Sequence, residues 1–363
     1  MRTRAAVMRE PGRLELAELD LEEPRADEVL VRMAAVGVCG TDLHSYKGEW
    51  SRPTPIVLGH EGTGVVEAVG DEVADISEGD RVVFSWAPAC GECGACRRGR
   101  PAACGPLSTA IGRGTLLGGR TGLSLDGEIV YRGTATGALA EHVVVAGGAA
   151  LPLAADVPLE HAALLGCAAL TGVGAVLNAA RPPAGFTTLV LGAGGVGQFV
   201  VQGARIAGAA AVLVVDPVES RREQALRLGA THAFAPEDVR AALRDFDPEG
   251  VDYAFDAVGA PETTALALRC TRGGGTTVVV GLPAAGARLE LDPLDFTNRE
   301  KTLTGTIYGS EDPAVALPRL VDLVRSGELQ LASLVGPSFP LDRADDAFQA
   351  SLAGSPGRVL VVP

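Results

Sequence analysis

Lysine is almost missing from this sequence of 363 residues: Lys47 and Lys301 are the only two. Neither sits in an apolar pocket signature, which leaves little room for Schiff-base chemistry at a lysine amine. Positive charge as a whole is short, with 31 Lys and Arg against 45 Asp and Glu and a formal net charge of -14. That balance repels phosphate backbones and anionic lipid, so it counts against nucleic-acid and membrane-surface roles and leaves a small molecule as the expected partner. Neither a targeting segment nor a membrane span is expected. Met1 to Glu10 has no apolar core of signal-peptide length and no small-residue cleavage site after it. The apolar stretch Val143 to Leu177 is interrupted by Asp156, Glu160 and His161, and Thr187 to Val215 by Gln198, Gln202 and Arg205, so neither reads as a membrane span. There is no repeat of solenoid length and no low-complexity tail. Seven cysteines without a secretory signal point to reduced thiols and metal ligation, and the protein is expected in the cytoplasm.

The length fits two domains of common size. From Leu14 to Val83 short strand-like runs (Leu14 to Leu16, Val29 to Met33, Gly64 to Ala68, Arg81 to Phe84) are separated by turn residues, which predicts a mostly β domain. From about Cys167 β-branched runs alternate with Ala-rich helical segments: Thr187 to Leu191, a helix after Val196, Ala211 to Val215, a helix over Arg221 to Leu228, Val251 to Phe255 and Thr276 to Val280. That alternation predicts a parallel sheet with helices on both faces. A last helix, Pro313 to Ser326, and strands at Val335 to Phe339 and Arg358 to Val362 close the chain.

The most unusual chemistry lies between Gly37 and Glu61, where Cys39, Thr41, Asp42, His44, His60 and Glu61 fall together. Cys39 and His60 are ligand types that suit zinc, and Thr41 and His44 are close enough to serve the same centre as proton carriers. Taken singly, Cys39 also reads as a small buried hydrophobe and His60 as a turn histidine with its hydrogen bonds satisfied.

Two further motifs change that balance. Cys90-x2-Cys93-x2-Cys96-x7-Cys104 packs four thiols into a short lobe with Gly91, Gly94 and Gly99 for its turns. The longer last gap and the lack of a proline after Cys104 disfavour an iron-sulfur cluster and favour a closed structural zinc. Leu189-Val190-Leu191-Gly192-Ala193-Gly194-Gly195-Val196-Gly197 sets Gly192, Gly194 and Gly197 in G-x-G-x-x-G spacing between a strand and a helix, with Asp216 nineteen residues after Gly197. This is the pattern of a dinucleotide site, and a carboxylate there accepts from a ribose and repels a 2'-phosphate, which favours NAD over NADP. Arg221 and Arg222 nearby offer a phosphate an alternative partner. Of the other cysteines, Cys167 stands where the β-rich region hands over to the dinucleotide domain, where a cleft is expected. Cys270 reads as a buried thiol, and His142, His161 and His232 lack ligand-like company.

Across essentially its whole length the chain resembles the zinc-dependent alcohol dehydrogenases of the medium-chain dehydrogenase/reductase superfamily. The likeness runs through Gly37-Val38-Cys39-Gly40-Thr41-Asp42-Leu43-His44, Gly59-His60-Glu61, the Cys90 to Cys104 lobe, Gly166-Cys167, the Gly192 fingerprint with Asp216, and Thr304 to Ser310. The resemblance implies an α/β fold: a GroES-like mostly-β catalytic domain over 1–168 with its zinc lobe at 88–106, a Rossmann doubly wound parallel sheet over 169–306, and a C-terminal return over 307–363. It implies two zinc ions per subunit. One is catalytic, held by Cys39, His60 and Cys167 with Glu61 as an occasional ligand, and the other is the structural ion of the lobe. It implies NAD on Gly192, Gly194, Gly195, Val196, Gly197, Asp216, Arg221, Thr171 and Leu282. Thr41 would take the alcohol proton and pass it through the nicotinamide ribose to His44, while Asp42 supports the ligands without joining them. Hydride would then leave a zinc-bound alcoholate for NAD.

By the same resemblance the substrate pocket includes Trp50, Trp86, Leu282, Ile307 and Tyr308, mostly apolar, which favours primary aliphatic or aromatic alcohols and their aldehydes. Glutathione-linked formaldehyde dehydrogenases share much of the pattern but carry an arginine after the zinc lobe where this chain has Thr121-Gly122-Leu123, with Arg120 slightly displaced. A dinucleotide-binding protein without catalysis is the alternative from another class. The family also implies a homodimer or homotetramer.

Overall fold

The strand Glu28–Gly37 is buried along nearly its whole length because it is sheathed by neighbours. It pairs antiparallel with Glu61–Val69, with His142–Ala146 and, at its end, with Arg358–Val362. These strands belong to a seven-stranded sheet completed by Arg81–Phe84, Ala150–Pro152 and Val335–Pro340. A second sheet of six strands orders Glu128–Ile129, Leu123–Leu125, Glu15–Leu21, Arg2–Met8, Ile56–Val57 and Tyr131–Arg132. One apolar cluster, including Met8, Leu19, Val31, Phe84 and Phe348, fills the interior beside both sheets.

In this computed structural model all residues 1–363 are described. They divide into a first unit of Met1–Cys167, Glu311–Arg325 and Leu331–Pro363 and a second of Ala168–Ser310 and Ser326–Gln330. The edges differ from the sequence-based division. Gln202 explains one of them: its side chain accepts from Gln330 N–H at 2.7 Å and donates to Gln330 O at 3.1 Å, which ties 326–330 to the second unit.

The second unit is a six-stranded parallel sheet. Numbered from Thr187–Leu191, its strands lie in the order 3-2-1-4-5-6, the doubly wound arrangement that places a ligand site where the order reverses. Val239, Leu243 and Ala267, from the helices Val239–Phe246 and Pro261–Cys270, pack on Leu189, Leu213 and Ala254 of that sheet.

Most predicted elements are present with shifted ends. The first predicted strand starts at Glu15 and runs to Leu21, the helix over Arg221 to Leu228 begins at Glu219, and the strand at Thr276 begins at Thr271. The strand Arg2–Met8 and the helix Gly40–Tyr46 are additions. The helical stretch Leu159–Ala180 is long and apolar enough to cross a membrane, with mean hydropathy 1.8, yet 83% of its most apolar window is buried inside the protein. That burial accounts for its composition as core.

Candidate active site

Strand register places the first group of functional side chains. Gly37 stands opposite Glu61 on one side and Leu360 on the other, so Glu61 and Arg358 approach each other across the end of the central strand. A Cβ at position 37 would lie 2.4 Å from Glu61 Oε2 and 3.3 Å from Arg358 Cγ, so only glycine leaves room for that pair. Beyond Gly37 the chain turns into the helix Gly40–Tyr46, with Cys39 at its N-cap. Cys167 arrives from elsewhere, within a π-helical widening at Leu165–Ala169, a distortion often found where a helix presents a functional group.

The sulfurs of Cys39 and Cys167, a nitrogen of His60 and an oxygen of Glu61 all lie within 4.8 Å of one another, and all four residues are buried. Asp42, also buried, organises this group. Its Oδ1 accepts from Gly59 N–H at 3.1 Å and lies 3.2 Å from His60 Nδ1, while Oδ2 accepts from Cys39 N–H at 3.2 Å. With Nδ1 engaged by Asp42, Nε2 of His60 is left for a ligand.

The electrostatics suit a cation. A hydrogen bond from Cys167 holds the Cys39 thiol well below its usual range against the opposing effect of burial, and the same contact pushes Cys167 well above it. Burial opposes the imidazolium of His60, but Asp42 and Cys39 outweigh it and raise that group. Burial pushes Glu61 up to about 8, with Arg358 acting the other way. Arg358 Nε is 3.0 Å from Glu61 Oε2, but neither carboxylate oxygen has an aligned hydrogen bond. Two sulfurs and an imidazole nitrogen fit a zinc with its fourth position left over, and the under-bonded Glu61 carboxylate stands beside them.

The lobe forms the second group. Cys90, Cys93, Cys96 and Cys104 bring their sulfurs within 4.8 Å of one another, with separations of 3.9 Å for Cys90 to Cys96 and 3.5 Å for Cys93 to Cys96. All seven cysteines are free thiols. Backbone N–H groups of Cys96 and Gly105 lower Cys93 to about 6, and burial followed by Cys93 raises Cys96 to about 12. Four convergent sulfurs and no open direction fit a closed zinc site.

The proposed proton carriers follow Cys39 directly. Thr41 and His44 lie in the helix Gly40–Tyr46, both half-buried. His44 stacks on Trp50 with ring centroids 4.7 Å apart and planes 15° from parallel, and its Nδ1 is hydrogen bonded to Glu49 Oε2. Neither Glu49 nor Arg358 is singled out by the sequence, since each acts through a neighbour that only the fold supplies. Trp86 is buried in the same unit. Arg120, considered above for a thiol adduct, is consumed elsewhere: it pairs with both oxygens of Glu28, with Glu22, and with Glu23 O at 3.2 Å.

In the second unit the glycine fingerprint joins the strand Thr187–Leu191 to the helix Gly195–Ile206, which Gly194 caps. A Cβ on Gly197 would stand 1.8 Å from Gly192 O, so the turn demands glycine there. Asp216 is buried, and its carboxylate accepts from Ala193 N–H at 2.7 Å and Val218 N–H at 2.8 Å, which ties the second strand to the turn. Arg222 donates to the carbonyls of Asp216 and Pro217, and Gln198 Nε2 to that of Arg221. Thr171 and Ile307 are half-buried, Tyr308 is buried and Leu282 is exposed. Cys270 is buried, pushed to about 11 by that burial, and belongs to neither sulfur group.

Comparison with known proteins agrees with this geometry. The family model described as zinc-binding dehydrogenase matches residues 195–324, and that for the alcohol dehydrogenase GroES-like domain matches 25–155. Alcohol dehydrogenase 6 of Peromyscus maniculatus is 33% identical over 371 residues, covering 100% of this chain and 98% of its own. S-(hydroxymethyl)glutathione dehydrogenase of Escherichia coli is 33% identical over 368 residues, covering 99% of this chain and 100% of its own. Benzyl alcohol dehydrogenase of Acinetobacter calcoaceticus has a solved structure with a TM-score of 0.94 at 32% identity, covering 100% and 99% of the two chains. A Sinorhizobium meliloti protein solved with NADP bound gives a TM-score of 0.83 at 28% identity, covering 100% of each chain.

Proposed function

Since this chain belongs to the zinc-dependent alcohol dehydrogenases of the medium-chain dehydrogenase/reductase superfamily, we propose that it interconverts apolar primary alcohols, aliphatic or aromatic, and their aldehydes with NAD. The observation that carries this reading is the buried convergence of Cys39, His60, Glu61 and Cys167 around one point, with Asp42 bracing it. Cys39, His60 and Cys167 would hold the catalytic zinc, and the four lobe cysteines a structural one. When bound, zinc would supply Lewis acidity, which lowers the pKa of a bound water to about 7, a shift on the order of 12 kcal/mol, and would act on a bound alcohol in the same direction. Thr41 Oγ1 takes the alcohol proton and His44 carries it to solvent, a contribution of roughly 3 to 5 kcal/mol. The metal therefore dominates, and the hydroxyl and imidazole set the rate at which its effect is used.

Asp216 supports NAD over NADP because a buried carboxylate already held by two backbone N–H groups repels a 2'-phosphate. Leu282, Gly192, Gly194, Gly195, Val196, Gly197, Thr171 and Arg221 complete the proposed cofactor contacts. Trp50, Trp86, Ile307 and Tyr308 are the proposed apolar wall. We place the protein in the cytoplasm as a homodimer or homotetramer, which light scattering on the purified protein tests.

The thiol-adduct reading is favoured by the Escherichia coli relative and opposed by the commitment of Arg120 to Glu22 and Glu28. NADH formation across aliphatic, benzylic and terpenoid alcohols, before and after chelation, tests the main reading. Metal-dependent NADH signals support it. Activity only on formaldehyde with an added low-molecular-weight thiol moves the function to the adduct, and no metal-dependent signal at all leaves a binding protein.

A further inference from the structure

We infer that Glu49 is a positioning residue for His44: it accepts the Nδ1–H of the imidazole and so fixes the tautomer whose Nε2 lone pair is open to a proton. The catalytic meaning of this lock rests on the proposed route through Thr41 and His44; its geometry does not.

The contact is built by the turn that ends the helix. The N–H groups of Glu49 and Trp50 both donate to His44 O, at 2.9 and 3.3 Å, so the chain doubles back and delivers the Glu49 carboxylate to the ring it has just left. Oε2 meets His44 Nδ1, while Oε1 pairs with Lys47 Nζ at 2.5 Å. Both oxygens are thereby occupied, and one of only two lysines in the chain is spent holding this carboxylate. Lys47 and His44 together hold Glu49 below the ordinary carboxylate range, so it is ionised and can act only as an acceptor. Trp50 closes one face of the imidazole at 4.7 Å and Arg52 lies 5.6 Å from the indole centroid, so the ring is held in orientation as well as in tautomer. Asp42, on the same helix, is turned away toward Cys39, Gly59 and His60.

A neutral imidazole carries one proton on one of two nitrogens, and a carboxylate that accepts from Nδ1 decides which. The same logic operates wherever a carboxylate orients a catalytic histidine, and loss of the orienting charge there presents the wrong nitrogen. With side-chain exposures of 21% for His44 and 32% for Glu49 the pair is partly open to solvent. The expected effect is thus a fraction of the roughly 10²- to 10⁴-fold available to a proton carrier, about 3- to 30-fold in kcat.

The test is nitrogen NMR of the histidine rings in the zinc-loaded protein, with the His44 signal identified among five histidines by its loss in His44→Gln. In the wild type the expected pattern is protonated Nδ1 and bare Nε2 for neutral His44. Glu49→Leu is expected to populate the other tautomer and lower kcat, with zinc content and KM for the cofactor unchanged. Glu49→Gln keeps the shape but loses the charge, and with Lys47 claiming the amide oxygen its NH2 faces Nδ1, so it too is expected to populate the other tautomer and lower kcat. A wild-type ring protonated at Nε2, or a tautomer unmoved by Glu49→Leu, overturns the inference whatever the rates do. A locked ring together with a wild-type rate in His44→Gln overturns the relay instead.

Discussion

Asp42 Oδ1 lies 3.2 Å from His60 Nδ1, and the other oxygen of the same carboxylate takes the backbone N–H of Cys39, so one side chain braces two candidate zinc ligands at once. It does so from a buried position, where a lost acceptor is costly. Asp42→Asn keeps the size and removes the charge. It is expected to weaken zinc binding roughly 10- to 100-fold, the usual cost of losing a carboxylate behind a ligating histidine. Competition with a chromophoric chelator measures this, and an unchanged affinity would show that His60 does not depend on Asp42.

The two sulfur groups predict separable losses. Cys39→Ser is expected to remove one zinc per subunit and all measurable activity, with little change in melting temperature, because the catalytic metal is not what folds the unit. Cys104→Ser removes a different zinc. Its thiol is the most buried of the lobe and begins the helix Gly105–Arg113, so the lobe loosens and the melting temperature falls by roughly 5 to 10 °C. Elemental analysis beside calorimetry distinguishes the two, and a wild-type content of one zinc per subunit would contradict the pairing of sites.

Which of these relationships could be read without coordinates depends on how far apart in sequence their partners stand. The lobe and the glycine fingerprint were legible because short turns dictate their geometry from consecutive residues. Cys39 and His60 stood out as ligand types, but their convergence with Cys167 depends on a helix widened at Leu165–Ala169, which leaves no periodic trace. Arg358 was invisible for a different reason. It meets Glu61 only because three strands pair in a fixed register around Gly37, and register is a property of the sheet. Glu49 reads locally as one more surface acid until the turn after His44 brings it back to the ring.

That register yields a stability prediction. Glu61 is fully buried and Arg358 nearly so, in an ion-pair contact at 3.0 Å. Above about pH 8, where Glu61 is ionised beside Arg358, the Arg358→Met variant must bury an unpaired carboxylate or protonate it, and breaking a buried pair from one side costs about 3 to 5 kcal/mol. The double variant Glu61→Gln with Arg358→Met removes the charge as well and is expected to recover much of that loss. Equilibrium unfolding in denaturant measures both. Equal destabilisation of the single and double variants would mean that the guanidinium acts through its 2.9 Å hydrogen bond to Val38 O and not through Glu61.

Cofactor choice can be tested at Asp216, where structure and selectivity are entangled. The carboxylate holds Ala193 N–H and Val218 N–H, so Asp216→Ala strands two donors and is expected to lower stability by about 1 to 3 kcal/mol. Asp216→Asn keeps an acceptor for one of them and removes the charge that repels a 2'-phosphate. It is therefore the cleaner probe: the ratio of kcat/KM for NAD over NADP is expected to fall at least tenfold while the melting temperature falls less than in Asp216→Ala. Gly197→Ala provides the contrast, because its Cβ would drive into Gly192 O and deform the turn for both cofactors alike. An Asp216→Asn enzyme that keeps its full preference for NAD would assign that preference to another residue of the second unit.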